Sequence, residues 1–169
     1  MNTNPDPDIN PYAATHDSLT GLPNEFLFFD RLNQATVIAE RGTSRFALLL
    51  VVLNDYPQIE QQYGRIISRH LLVKVAERLQ EILREPDTIS RREDNNFMIL
   101  LPQIESARSL TQLIWRIEKA LSEPLQLETG NVCFNISIGQ GFYPDNGATA
   151  FQLVEYVEAD AMKSTSELS

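Results

Sequence analysis

The sequence predicts an α+β domain built on one mixed, mainly antiparallel sheet flanked by helices. Three observations carry this expectation. Phe46 to Leu53 is a near-continuous apolar run, the pattern of a strand buried on both faces. Ile66 to Arg84 and Ser106 to Leu121 are long segments with apolar residues at helical spacing. Short strand-like runs joined by tight polar turns interrupt a simple strand–helix alternation, which favours hairpins over parallel crossovers.

The elements follow in chain order. Met1 to Pro11 is rich in Asn, Asp and Pro, and residues 1–14 read as a flexible lead-in. Thr20-Gly21-Leu22-Pro23-Asn24 is a turn that opens a helix, with Pro23 suited to a first helical turn. Phe26, Phe29, Leu32 and Ala35 recur at helical spacing, and Gly42 closes the segment. After the apolar strand, Asp55 to Tyr63 reads as a short helix ending at Gly64. In the long helix that follows, Ile67, Leu71, Val75, Leu79 and Ile82 form the buried stripe, and Pro86 stops it. Thr88 to Arg92 and Phe97 to Leu101 are the arms of a hairpin. Leu110, Leu113, Ile114 and Ile117 line the next helix, and Trp115 reads as core. A strand at Leu125 to Leu127, a turn at Thr129-Gly130-Asn131, a strand from Val132 to Tyr143 and a helix from Ala148 to Met162 complete the domain. Residues 164–169 read as the start of a linker or tail.

Composition narrows the function. The chain has 169 residues, a size that suits one domain with a substantial core. Its net charge of −9 argues against a non-specific nucleic-acid binder, which needs a basic face. A local arginine cluster could still hold a small nucleotide. No apolar run approaches the ~20 residues of a membrane span, and no secretory signal opens the chain, so no membrane contact and a cytoplasmic location are expected. The single cysteine, Cys133, cannot form an intrachain disulfide and reads as a buried thiol in an alternating strand. His16 and His70 have no spacing that suggests metal or catalysis.

Five segments carry a resemblance: His16-Asp17-Ser18-Leu19-Thr20-Gly21-Leu22-Pro23-Asn24, Tyr63-Gly64, Val75-Ala76-Glu77-Arg78-Leu79, Ser137-Ile138-Gly139 and Ala159-Asp160. In this order and register the chain resembles the GGDEF family, the diguanylate cyclase domains that condense two GTP into cyclic di-GMP. The likeness runs from Asp17 to about Met162, so residues 15–163 are expected to form a GGDEF domain. The resemblance implies the palm-like sheet of nucleotidyl cyclases and polymerases.

The family's chemistry needs two metal ions held by carboxylates, one on the first strand and one in the signature turn. Here those positions fall on Val52 and Asn95. The five signature letters fall on Glu93, Asp94, Asn95, Asn96 and Phe97. Both turn glycines, which let backbone approach a nucleotide, are replaced by acids. The two family residues that read guanine correspond to Glu60 and Arg69, and Pro57 interrupts the loop whose amides face the phosphates. The family's C-terminal phosphate-binding lysine has no match in register. A displaced metal site from Glu93, Asp94 and Asn54 is also conceivable, but acidic residues at a hairpin tip read first as a solvated turn. No cyclase activity, no metal and no cofactor are expected.

A second family site survives in outline. Many GGDEF domains bind cyclic di-GMP at an Arg-x-x-Asp motif upstream of the signature turn. Arg84-Glu85-Pro86-Asp87 matches it in the family's register, and Arg116 stands beside the slot for a further arginine. An Arg fork can grip guanine O6/N7 or phosphate, and a carboxylate can accept from guanine N1–H and N2–H. The bland alternative is an arginine favoured at a helix C-terminus and a surface ion pair with Asp87. The resemblance also extends to GGDEF domains joined to a C-terminal EAL phosphodiesterase, and the chain stops roughly where such a linker would begin. Three functions follow as expectations: a cyclic di-GMP sensor at Arg84 and Asp87; a ligand-free regulatory or dimerisation domain controlling an attached EAL domain; and, last, an active cyclase.

Overall fold

The computed structural model describes residues 11–42, 44–92, 95–104 and 106–167. Five helices are α1 (Glu25–Arg41), α2 (Tyr56–Tyr63), α3 (Arg65–Ile82), α4 (Ala107–Ser122) and α5 (Ala150–Glu167). The strands are β1 (Phe46–Leu53), β2 (Thr88–Arg91), β3 (Asn96–Leu101), β4 (Leu125–Leu127), β5 (Gly130–Val132) and β6 (Ile136–Tyr143). Four strands form the main sheet in the order β2-β3-β1-β6, and β4 and β5 form a separate hairpin. Every described strand pair is antiparallel, so the expected mixture resolves to one sense.

The period-2 geometry of β1 explains both cores. Ala47, Leu49, Val51 and Leu53 point to the face covered by α2, α3 and α4. Phe46, Leu48 and Leu50 point to the opposite face, which α1 and α5 cover. The partner strand β3 splits the same way, with Phe97, Ile99 and Leu101 on one side and Met98 and Leu100 on the other. Burial on both faces is why the run is apolar without interruption.

Several side chains position these layers. Asn24 caps α1 by accepting from the Leu27 N–H at 3.0 Å, and its Nδ2 donates to the Ala14 carbonyl. Arg78 of α3 donates to the carbonyls of Ala120, Glu123 and Pro124. It thereby satisfies the open C-terminal end of α4 and sets where β4 begins. Tyr12 stacks on His16 at 3.6 Å, just before the Asp17 turn.

Some expectations change. On α1 the buried stripe is Phe28, Leu32, Ala35 and Ala39, and Phe26 is exposed. Two residues separate Phe26 from Phe28, which puts them on different faces of α1, and packing with Phe46, Leu48 and Leu50 of β1 selects Phe28. Trp115 is 58% exposed, because Leu110, Ile117 and Leu121 set the inner face of α4 and position 115 falls off it. The expected strand from Val132 to Tyr143 is two strands, broken over residues 133–135. There Val132 and Phe134 enter the core and Cys133 is turned out, so its thiol is exposed. α5 continues to Glu167, beyond the expected end at Met162.

Candidate functional site

Two regions hold the residues singled out by the sequence. The first is the end of β1 beside the β2–β3 hairpin. Val52 lies between Asn96 on β3 and Ser137 on β6 in the sheet register. Asn95 sits next to it, with its side-chain Nδ2 donating to the Leu53 carbonyl at 3.0 Å and its backbone carbonyl accepting from Leu53 N–H. Asn54 donates to the Ser137 hydroxyl at 2.8 Å, and that hydroxyl is 2.7 Å from Thr165 Oγ1. This donor set does not suit a hard divalent cation. Val52 has no ligand atom, and Asn95 offers only a neutral amide oxygen where a hard cation favours a carboxylate. Among the described residues no cluster of three or more His, Cys, Asp or Glu side chains is placed to hold a metal. Glu93 and Asp94 lie outside the described residues.

The arginines at the hairpin tip are both engaged. Arg91 grips Asp17 with Nη2 at 2.9 Å and Nε at 3.1 Å. Arg92 pairs with Glu25 at the start of α1 and with Glu158 of α5. Arg91 and Arg92 therefore tie the end of β2 to the N-terminal turn and to two helices.

The second region is the exit of α3. The helix ends at Ile82, and residues 84–87 form a reciprocal turn. The Arg84 N–H donates to Asp87 Oδ2 at 2.9 Å, and the Asp87 N–H donates to the Arg84 carbonyl at 3.0 Å. Asp87 thus holds the backbone of Arg84, and no ion pair joins the two side chains among the described residues. The Arg84 guanidinium reaches instead to the Gln103 carbonyl at 3.0 Å. This places it over a cleft of about 240 Å³ whose wall also includes Asp87, Ser109, Gln112 and Arg116. Arg84, Asp87 and Arg116 come together here, although 32 positions separate Arg84 from Arg116 in the sequence.

Asp87 has an unusual environment. Its Oδ1 is shielded from solvent and has no hydrogen-bond partner among the described residues. Burial pushes its carboxyl above the usual value, against the lowering effect of the Arg84 N–H and the Arg84 charge. An acceptor left unsatisfied inside a fold costs stability, so such groups call for an explanation outside the fold itself.

A third feature escaped the motif search. Glu60, Arg65, Arg69 and Arg91 line a separate cleft of about 370 Å³ between α2 and the start of α3. Glu60 and Arg69 are the pair of positions that correspond to the family's guanine-reading residues. Their joining with Arg65 and Arg91 depends on the Gly64 turn, where a φ of +86° folds α2 back against α3.

Comparison with known proteins gives the family. The family model for the diguanylate cyclase GGDEF domain matches residues 14–167. The chain belongs to the GGDEF family. One relative, the bifunctional diguanylate cyclase/cyclic di-GMP phosphodiesterase MucR of Pseudomonas aeruginosa, is 38% identical over 148 residues, covering 88% of this chain and 21% of MucR. The diguanylate cyclase TpbB of the same species is 29% identical, covering 85% of this chain and 33% of TpbB. The solved GGDEF domain of TpbB superposes with a TM-score of 0.86 at 27% identity, covering 90% of this chain and 89% of that one. This chain therefore spans about a fifth to a third of the length of these curated relatives. As a GGDEF domain it is a part of cyclic di-GMP signalling. No helix among the described residues is long and apolar enough to cross a membrane.

Proposed function

We propose that this GGDEF domain is a non-catalytic module that binds cyclic di-GMP at the Arg84–Asp87 turn, with Arg116 as a third contact. One observation carries the reading: a single cleft gathers two arginines and a carboxylate. The two guanidinium groups suit a phosphate or the O6/N7 edge of guanine, and the carboxylate suits the N–H donors of the same base. The cleft, at about 240 Å³, lies below the roughly 300 Å³ of a pocket that encloses a whole ligand, so it admits one base and leaves the rest outside. The absence of catalysis is proposed from Val52 and Asn95, neither of which offers a metal a carboxylate.

Trp115 provides the test. It is the one tryptophan of the chain, is exposed, and precedes Arg116 on α4. Cyclic di-GMP is expected to change its fluorescence and to saturate at about micromolar concentration. Arg84→Ala is expected to abolish the change. Asp87→Asn is expected to weaken it with no loss of thermal stability, because the amide keeps an acceptor for Arg84 N–H and removes a carboxylate that burial disfavours. A response of equal affinity in Arg84→Ala would refute the site.

A second reading keeps the domain without a ligand, as a regulator of an attached EAL phosphodiesterase or as a homodimerisation unit. The short share of MucR that the chain covers, and the phosphodiesterase activity in that relative's name, favour it. It predicts no fluorescence response at any concentration of cyclic di-GMP.

A further inference from the structure

We propose that the cleft between α2 and the start of α3 binds a small oxyanion ligand, a carboxylate or a phosphate ester, independently of the Arg84–Asp87 site. Three arginines line it in a chain with 14 basic residues and a net charge of −9. They are not equivalent. Arg91 is a fixed wall, held by both oxygens of Asp17 and only 18% exposed at its side chain. Arg65 and Arg69 lie one helical turn apart on α3, so their side chains share a face. Among the described residues neither guanidinium has an ion-pair or hydrogen-bond partner.

Glu60 makes this arrangement informative. It lines the same cleft, yet it joins neither arginine within ion-pair distance. Its carboxylate instead accepts from the Ser68 hydroxyl at 3.3 Å. Opposite charges that face one cavity and stay apart leave room for a molecule between them. That molecule must offer acceptor oxygens to the two guanidinium forks, which match carboxylate and phosphate geometry. It must offer a donor, a hydroxyl or an amine, to Glu60. Leu19, Tyr56 and Leu72 supply the apolar part of the wall. The cleft's size, about 370 Å³, falls in the range of small-molecule sites. The start of α3 adds to the preference for an anion, because Gly64 caps it without a side chain.

The test uses pyrophosphate and citrate as probes, titrated separately into the whole chain at low salt by calorimetry. At least one is expected to bind with a Kd at or below about 1 mM. Arg65→Ala and Arg69→Ala are each expected to weaken it about tenfold, the scale of one charge-assisted contact. Glu60→Gln is expected to tighten pyrophosphate more than citrate, since citrate carries a hydroxyl that the Glu60 carboxylate can accept from and pyrophosphate is mainly acceptor oxygens. Arg84→Ala is expected to leave the affinity unchanged, which separates this site from the other cleft. Preference for pyrophosphate identifies the ligand class as a phosphate ester, and preference for citrate as a carboxylate. No heat from either probe up to about 10 mM, or affinities unmoved by Arg65→Ala and Arg69→Ala, would overturn the proposal.

Discussion

Gly139→Ala is expected to cost roughly 3 kcal/mol or more, the upper range for overpacking a tight core. Gly139 lies on β6 opposite Leu50, directly beneath α5. A Cβ there would overlap the Val157 carbonyl oxygen and stand 2.8 Å from the Ala161 nitrogen and 3.0 Å from the Ala161 Cβ. Two of those atoms are helix backbone, which has no rotamer to change. Accommodation would require α5 to lift from the sheet and would open the core formed by Leu153, Val157 and Ala161 with β1 and β3. Gly141, two residues on, is the internal control. Its added Cβ would meet Val157 Cγ2 at 3.0 Å and Leu153 Cδ1 at 3.1 Å, which are side-chain tips. Thermal unfolding followed by circular dichroism is expected to fall by roughly 10 °C in Gly139→Ala, and by clearly less in Gly141→Ala. Equal losses would show that α5 can adjust its height over β6.

Asp17→Ala is expected to destabilise by about 2–3 kcal/mol, the cost of stranding a shielded arginine and losing its charge-assisted hydrogen bonds. Asp17 Oδ2 accepts from the Thr20 N–H at 2.9 Å, the Thr20 hydroxyl at 2.7 Å and Arg91 Nε. Its Oδ1 accepts from Arg91 Nη2. The two side chains are 14% and 18% exposed. Burial alone would raise the Asp17 carboxyl, but the hydrogen bonds from Arg91 and Thr20 and the Arg91 charge together hold it below its ordinary 3.8. A carboxyl depressed in the folded state binds its proton more tightly once unfolded. Its stabilisation is complete above the unfolded value and is lost as pH falls through the folded value. The gap between wild type and Asp17→Ala is therefore expected to be constant from neutral pH down to about pH 5, and to shrink below the ordinary carboxylate value. Urea unfolding at a series of pH values reads this directly. A gap that widened on acidification would contradict the assigned role of Asp17.

Much of the architecture was legible because its periodicities are strong. β1 is apolar without a break since it is buried on two faces, and α3 and α4 carry clean stripes. Where two residues compete for one face, the sequence alone does not decide. Phe26 and Phe28 differ by 200° around α1, and only the packing against β1 chooses Phe28. Trp115 looked like core because large aromatics usually are, yet its phase on α4 turns it outward beside Lys119. Cys133 was misplaced because an alternating run concealed a break between β5 and β6.

The sites divide along the same line. Arg84 and Asp87 are near in sequence, so a motif could suggest them. That Asp87 would hold the Arg84 backbone and keep one oxygen unpartnered depends on how α3 ends, which a motif does not encode. Arg65, Arg69 and Glu60 form a cleft only through the α2–α3 turn and the arrival of Arg91 from β2. The Asp17-Ser18-Leu19-Thr20 turn has a structural role visible only when Arg91, 74 positions away, closes on it.

The central claim is that this domain binds the second messenger without making it. Isothermal titration of cyclic di-GMP into the purified chain, with GTP and Mg²⁺ in a parallel cell, tests it most directly. The account predicts saturable heat from cyclic di-GMP at about micromolar affinity, its loss in Arg84→Ala, and no turnover heat from GTP. Sustained heat from GTP with cyclic di-GMP accumulating in the cell, or no heat from cyclic di-GMP at all, would contradict it.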